Sequence, residues 1–377
     1  MSGGVDSSVA AALLVEQGYE VVGIMLRLWS ESESPSVGQV GNLSYIRSNR
    51  CCTPEDTTLA RRVADQLGIP FYLVNVADSF KRLVVDDFVA QYAAGRTPNP
   101  CLNCNRHVRF EVLLNKALGL GAEKLATGHY ARLRQSADGR IELLRAVDRN
   151  KDQSYVLSVL NQDKLSRAMF PLGELTKPQV REIAAKKGLP VAEKAESQDL
   201  CFVANGDYRG FLARNAPDVL RPGPIRNTSG RVLGQHHGLA LYTIGQRKGI
   251  GISGPEALYV IALDAAENAV IVGTASELGR DECIALRMNY VSGDIPSAPF
   301  RAMAKIRYKA HEAACTITPS PERGPARLPD STARVQFDQA QRDITPGQGI
   351  VFYDGEIVIG GGIISTDKGP LRVTKDE

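Results

Sequence analysis

Hydrophobic positions follow two rhythms along this chain, and the rhythm changes near residue 145. In the first part, an apolar helix-like run at 9–17 stops at Gly18, and 20–28 clusters apolar residues as a buried strand does. Residues 29–50 are Ser-rich and read as a long loop. Thr53-Pro54-Glu55-Asp56 opens the next helix. Its capping hydroxyl is followed by a proline whose missing N–H costs nothing at the first position, then by acids facing the positive helix end. Gly68 ends that helix, and a strand at 69–76, a helix at 78–94 and a strand at 124–131 follow. Strands alternating with helices of this length predict a doubly wound parallel sheet, with ligands at the C-terminal ends of its strands.

Helical spacing persists at 153–160 and 177–187. Beyond residue 220, Gly, Pro and short alternating runs dominate, at 258–263, 269–272, 301–308, 333–337 and 349–353. Such runs predict small β domains, with 319–330 as a loop inside the last. The expected α/β architecture is an N-terminal doubly wound parallel sheet over 1–200, a small central domain over 201–280 and a C-terminal β-barrel over 281–377. A length of 377 residues accommodates two or three domains at roughly 100–200 residues each.

Composition narrows the function classes. Hydrophobic residues make up 43% and charged residues 23%, enough apolar material for more than one core. A net charge of +3 supplies no strong global field, so a nucleic acid would need a local basic patch. No apolar run reaches the roughly 18 residues of a membrane span, and no signal-peptide pattern opens the chain. A cytoplasmic protein is expected. Seven unevenly placed cysteines then read as thiols, metal ligands or catalytic groups before structural disulfides.

The first chemistry lies in Ser2-Gly3-Gly4-Val5-Asp6-Ser7-Ser8. Two glycines let the backbone turn tightly and approach an anion, and the helix that follows aims free N–H groups at the same point. Asp6 repels phosphate directly and makes most sense beside Mg²⁺. The Gly-Lys-Ser/Thr ending of the Walker loop is absent. The seven-residue string resembles the pyrophosphate loop of enzymes that adenylate substrates and release pyrophosphate. Such a loop is expected to follow a buried strand, yet only Met1 precedes it, so either the true start lies upstream or the sheet lacks its first strand.

The cysteines are the second candidate chemistry. Cys101 and Cys104 lie in the stiff stretch Thr97-Pro98-Asn99-Pro100-Cys101-Leu102-Asn103-Cys104, with Asn105 expected to open a helix whose N-terminus favours thiolate. A structural zinc site would need a second Cys-x-x-Cys, which is missing. Cys201 stands far off in Ser197-Gln198-Asp199-Leu200-Cys201-Phe202. Cys283 and Cys315 fall in apolar strands and read as inert core thiols. The adjacent Cys51 and Cys52 read equally as a sulfur store or as structural residues.

Further strings follow in order: Ala126-Thr127-Gly128-His129-Tyr130-Ala131, Asn150-Lys151-Asp152-Gln153-Ser154-Tyr155, Cys201-Phe202, Tyr242-Thr243-Ile244-Gly245-Gln246-Arg247-Lys248-Gly249 and Thr345-Pro346-Gly347-Gln348. With the loop and the Cys104 stretch, they make nearly the whole chain resemble the tRNA-specific 2-thiouridylase (MnmA) family. The resemblance implies ATP-dependent 2-thiolation of the wobble uridine, position 34, of tRNA. ATP adenylates the C2 oxygen, and a cysteine persulfide delivers sulfur. Cys201 matches the persulfide-bearing position, and Cys104 the second catalytic cysteine, which frees the sulfur or forms a disulfide with Cys201. Ser2, Gly3, Gly4, Val5, Asp6, Ser7, Leu26 and Gly128 match nucleotide-binding positions. His129, Lys151, Asp152, Gln153, Arg307, Tyr308 and Gln348 match tRNA-contacting positions. The implied cofactors are ATP and Mg²⁺, and the implied partners are tRNA and a cysteine desulfurase or sulfur-relay carrier, with the chain itself a monomer.

Cys101 departs from well-known members, which carry Asp there. It makes Cys101, Cys104 and Cys201 a three-thiolate set, so a [4Fe–4S] cluster holding the transferable sulfur stands as an alternative. Two rivals remain beside these. One is an amidotransferase-type adenylating synthetase, which would need the loop but neither Cys104 nor Cys201. The other is a tRNA-binding protein with weakened catalysis.

Overall fold

The computed structural model describes residues 1–31, 53–195, 200–203, 206–252, 256–320 and 331–365. Cys51 and Cys52 and the greater part of the expected loops at 29–50 and 319–330 lie outside the described residues.

Helix α1 (Val5–Glu16) begins one residue after the glycines and buries Val5, Val9, Ala10, Ala12 and Leu14. Helix α2 (Pro54–Leu67) starts as the sequence predicts. Thr53 Oγ1 accepts from Asp56 N at 3.1 Å, the Asp56 carboxylate takes the Thr53 N–H at 3.4 Å, and Gly68 ends the helix at φ +67°. Between them runs strand β1 (Gly23–Arg27), paired in parallel with β2 (Phe71–Asn75), Leu26 opposite Val74. A second parallel pair joins β3 (Leu125–Ala126) to the later β6 (Ala168–Met169). Val5, Val9 and Ala12 of α1, Val63 of α2, Tyr130, Leu172, and Val180 and Ala184 of the helix Lys177–Lys186 share one core. The α/β layer expected from alternating strands and helices is thus present.

The single strand expected over 124–131 is divided. After β3 the chain turns through Thr127-Gly128-His129-Tyr130. It re-enters sheet as β4 (Ala131–Gln135), which pairs with β5 (Ile141–Arg145) and not with the parallel layer. Four residues of non-strand backbone let Gly128 reach the glycine loop, and a continuous strand would have carried it past. The helix expected over 153–160 shortens to one turn, Ser154–Leu157.

The central region is a four-stranded sheet ordered β8 (Val232–His236), β7 (Gly223–Asn227), β10 (Ala269–Gly273), β9 (Tyr259–Asp264), around Ile225, Val260, Val270 and Val272. The C-terminal strands β11 (Arg280–Tyr290), β12 (Phe300–Lys305), β13 (Ala313–Ser320), β14 (Thr332–Gln341), β15 (Gly349–Asp354) and β16 (Ile357–Ser365) pair antiparallel in the order 11-14-13-12-15-16. Pairing of β11 with β16 closes them into a six-stranded barrel, which removes its open edges. The β4–β5 hairpin attaches to β16 through Leu144 and Ile357, so the N-terminal region is stitched directly to the barrel.

Candidate functional site

The glycine loop is fixed by its own hydroxyls and by its neighbours' backbone. Ser7 Oγ accepts from Ser2 N at 3.0 Å, and Ser8 Oγ donates to Gly4 O at 2.9 Å. Gly3 sits at φ +68°, where a Cβ would lie 2.4 Å from Asp56 O. A Cβ on Gly128 would lie 2.8 Å from Ser7 N and 2.9 Å from the Asp6 carbonyl carbon. Both obstacles are backbone, so neither can swing aside, and only glycine fits. Gly4 caps α1 in extended conformation without a side-chain hydrogen bond among the described residues, leaving first-turn amides to face an anion. Leu26, the other expected nucleotide contact, is half-buried on β1.

Asp6 has protein partners that the sequence did not suggest. Its Oδ1 accepts from Tyr130 Oη at 2.7 Å and from Lys177 Nζ at 2.6 Å. The Lys177 side chain is 9% exposed and that of Asp6 35%, so this ion pair is open on the carboxylate side. Lys194 Nζ donates to Gly3 O at 2.7 Å and also meets the Asp56 carboxylate, tying the loop to α2. Lys177 and Lys194 lie about 170 and 190 residues beyond the loop, and an ordinary helical or loop lysine carries no signal of such contacts.

The thiols divide into two places. The helix near Cys104 opens earlier than expected, at Pro100 rather than Asn105, with Asn99 Oδ1 accepting from Cys101 N at 3.2 Å. Cys101 therefore lies in the first turn. Cys104 lies a turn later, where Pro100–Asn103 runs on into the segment Cys104–Leu113. Asn105 is buried inside this helix, its Nδ2 donating to Cys101 O at 3.0 Å. Cys104 and Cys201 pack, half-buried, on one apolar cluster built from Phe80, Val84, Phe88, Val108 and Phe202. Cys101 is exposed and acts instead on Tyr155 and Tyr308. Burial first, then the charges of Asp152 and Cys101, push the Tyr308 hydroxyl above its usual range.

Among the described residues no three His, Cys, Asp or Glu side chains converge as metal ligands, although Cys101, Cys104 and Cys201 are all described. Among the described residues the three-thiolate set for a [4Fe–4S] cluster is not assembled: Cys104 and Cys201 pack on the apolar cluster, whereas Cys101 is exposed. Burial pushes Cys283 and Cys315 up to about 12, which keeps them protonated and inert.

The expected tRNA contacts also divide. Arg307, Tyr308 and Gln348 gather with Thr97–Cys101 where the three regions meet. Gln348 Nε2 donates to Thr97 O at 3.0 Å and Pro98 O at 3.2 Å, and Thr97 N donates to Pro346 O at 2.9 Å. Arg307 donates to Ile244 O of the central region at 3.1 Å and to Thr345 Oγ1 of the barrel at 2.6 Å. Tyr308 meets Tyr155 edge-on at 6.1 Å. The string Tyr242–Gly249 reaches the same junction through Thr243, whose Oγ1 is 3.5 Å from Thr97 Oγ1.

Other members of the set lie inside. Asp152 is buried and accepts from Ala146 N, Ser154 N and Ser154 Oγ, which shapes its loop. Gln153 Oε1 accepts from Tyr130 N at 3.0 Å, while Lys151 sits half-buried near the exposed loop tip at Arg149 and Asn150. His129 is buried between Phe110 and Phe170, its Nδ1 2.8 Å from Thr127 Oγ1. Burial, with the Arg109 charge second, lowers it to about 3, so the imidazole is neutral across the physiological range.

This constellation has relatives. Residues 1–205 match the family described as the tRNA methyl transferase HUP domain, 209–274 the tRNA methyl transferase PRC-barrel domain, and 280–364 the aminomethyltransferase beta-barrel domain. A tRNA-specific 2-thiouridylase of Roseiflexus castenholzii is 49% identical, covering 97% of this chain and 98% of its own. That of Magnetococcus marinus is 50% identical over 97% of both chains, and that of Moorella thermoacetica 50% over 97% and 98%. The chain belongs to the tRNA-specific 2-thiouridylase family. For a member of that family, Tyr130, Lys177 and Lys194 are the site residues that sequence reasoning missed. Tyr130 lay inside a quoted motif, Ala126–Ala131, and its hydroxyl was the one available signal.

Proposed function

We propose that this chain is a tRNA-uridine 2-sulfurtransferase that replaces the C2 oxygen of uridine 34 with sulfur, using ATP. The observation that carries the reading is the packing of Cys104 and Cys201 on one apolar cluster in a chain that also builds the glycine loop. The relatives' printed name agrees with it. A methyl transfer, which two of the matched family descriptions mention, would require neither these two thiols nor a loop for pyrophosphate.

Uridine O2 attacks the α-phosphorus of ATP and pyrophosphate leaves, stabilised by the amides of Gly3–Ser7 and the first turn of α1. Mg²⁺ typically takes one or two protein carboxylates and fills its remaining positions with phosphates and water; Asp6 is the carboxylate that fits. The terminal sulfur of a Cys201 persulfide then attacks C2, and AMP leaves with the former O2. The Cys104 thiolate attacks Cys201 Sγ, forming a Cys104–Cys201 disulfide and releasing 2-thiouridine. External thiol reduces the disulfide, and a cysteine desulfurase or relay carrier reloads Cys201. Such turnover needs a reducing compartment, as the cytoplasm is. Because the loop and both thiols belong to one chain, a monomer suffices. Among the described residues no helix is long and apolar enough to cross a membrane.

The test is nucleoside mass spectrometry on unmodified tRNA incubated anaerobically with ATP, Mg²⁺, a cysteine desulfurase and cysteine. We expect 2-thiouridine from the wild type and none from Cys201→Ser. A folded protein that binds ATP and tRNA yet makes no product overturns the reading in favour of a tRNA-binding protein. Stoichiometric iron and acid-labile sulfide in anaerobically purified protein would replace the persulfide route with the cluster.

A further inference from the structure

Asp6 is the meeting point of two hydrogen-bonded chains that start in one loop. Residues 148–153 carry Arg149 and Asn150 at an exposed tip, with Lys151 half-buried beside them. Inside, Gln153 brackets Tyr130: its Oε1 accepts from Tyr130 N at 3.0 Å, while its own N–H donates to Tyr130 O at 2.8 Å. Tyr130 Oη in turn donates to Asp6 Oδ1 at 2.7 Å. At the other end of the loop, Asp148 Oδ2 accepts from Lys177 N at 2.9 Å, and Lys177 Nζ donates to the same Asp6 Oδ1 at 2.6 Å. Tyr130 is 1% exposed and Lys177 7%, so neither side chain has room to move independently of the loop.

We propose that Tyr130 and Lys177 are positioning residues that convey tRNA occupancy of loop 148–153 to the Asp6 carboxylate, so that tRNA and nucleotide bind cooperatively. The inference rests on the tRNA reading above. A polyanion on the loop tip shifts Gln153 and Asp148. Through two short, buried connections, that shift turns a carboxylate that must also face the nucleotide's phosphates and Mg²⁺. Hydrogen bonds weaken steeply with angle, so a small rotation suffices to change the binding geometry. Thermodynamic linkage makes the effect reciprocal: nucleotide must alter tRNA affinity by the same factor as tRNA alters nucleotide affinity.

The experiment measures the Kd of tRNA with and without saturating α,β-methylene-ATP and Mg²⁺, in the full chain. The wild-type ratio is expected within the roughly 5- to 150-fold range of ordinary allosteric couplings. Tyr130→Phe keeps the ring in place and removes only the hydroxyl, and it should lower the ratio several-fold, leaving only what the Lys177 chain carries. Gln153→Ala should do the same, and the double variant should lose no more than either single one, because both cut one chain. A wild-type ratio of one, or an unchanged ratio in both single variants, overturns the proposal. A merely structural role would shift Tm and each single-ligand Kd while leaving the ratio intact, and that result overturns it too. Thiolation by a wild type with a ratio of one sinks this inference and spares the function. Failure to bind tRNA at all sinks the function first.

Discussion

The glycine loop and the three-region junction are both candidate binding sites, yet they are built in opposite ways. At the loop, selectivity is steric and local: Gly3 and Gly128 pass within contact distance of backbone, and no side chain can be admitted. At the junction the regions are tied by single side-chain donors reaching carbonyls, Gln348 to those of Thr97 and Pro98 and Arg307 to that of Ile244. A site enclosed by backbone fails all at once when altered. A site laced by single hydrogen bonds weakens by increments of about 0.5–1.5 kcal/mol. This suits a compact triphosphate in the first place and a large, shape-variable nucleic acid in the second.

The largest expected effect breaks the loop side. In Gly128→Ala the new methyl meets Ser7 N and the Asp6 carbonyl carbon, so the loop must open. ATP affinity measured by calorimetry should fall at least about 100-fold, a difference near 2.7 kcal/mol and within the range of an overpacked site. tRNA affinity without nucleotide should change far less. Equal losses in both would show that the two sites are not separable.

A middle effect concerns His129, buried beside Phe110 and Phe170. The unfolded imidazole takes a proton near pH 6.5, while the folded one holds off until about 3. Between those values the unfolded chain binds more protons, so stability is complete above pH 6.5 and falls as pH drops towards 3. From pH 7.5 to 5 the loss attributable to His129 is about 2 kcal/mol. Urea unfolding at the two pH values should show it, and His129→Gln should flatten the difference. An unchanged slope in that variant would remove the buried-neutral assignment.

The smallest effect loosens the junction. Gln348→Ala deletes a donor shared by two carbonyls. The loss should be about 1 kcal/mol, seen as roughly a fivefold rise in the tRNA KM with ATP affinity unmoved. A matching rise in the ATP KM would show that the junction and the loop are one rigid site, and the contrast between them would collapse.

Much of the loop was legible because its chemistry is contiguous: the glycines, the serines and the helix after them are neighbours in the chain. The α2 start was legible for the same reason, since Thr53, Pro54 and Asp56 complete their cap within four residues. The β3–β4 break was not, because Thr127–Tyr130 breaks away only to fit against the glycine loop and against Gln153. Asp152 and His129 show the opposite gap. The family resemblance implied that they contact tRNA, and only the packing around Ala146, Ser154, Phe110 and Phe170 reveals that they are inside. The helix start at Pro100 was displaced by five residues from expectation, because Asn99 supplies the capping oxygen.

By itself the amino-acid order determined the alternation of strands and helices, the β-rich second half and the glycine turn ahead of the first helix, because periodicity and turn chemistry are short-range properties. Only the tertiary structure decided which distant groups meet. It set Lys177 and Tyr130 on Asp6, packed Cys104 and Cys201 on one apolar cluster, and left Cys101 exposed. Those meetings follow from how the closed barrel and the parallel layer are stitched together through β4, β5 and β16, and no local pattern encodes the distance between residues brought together by packing.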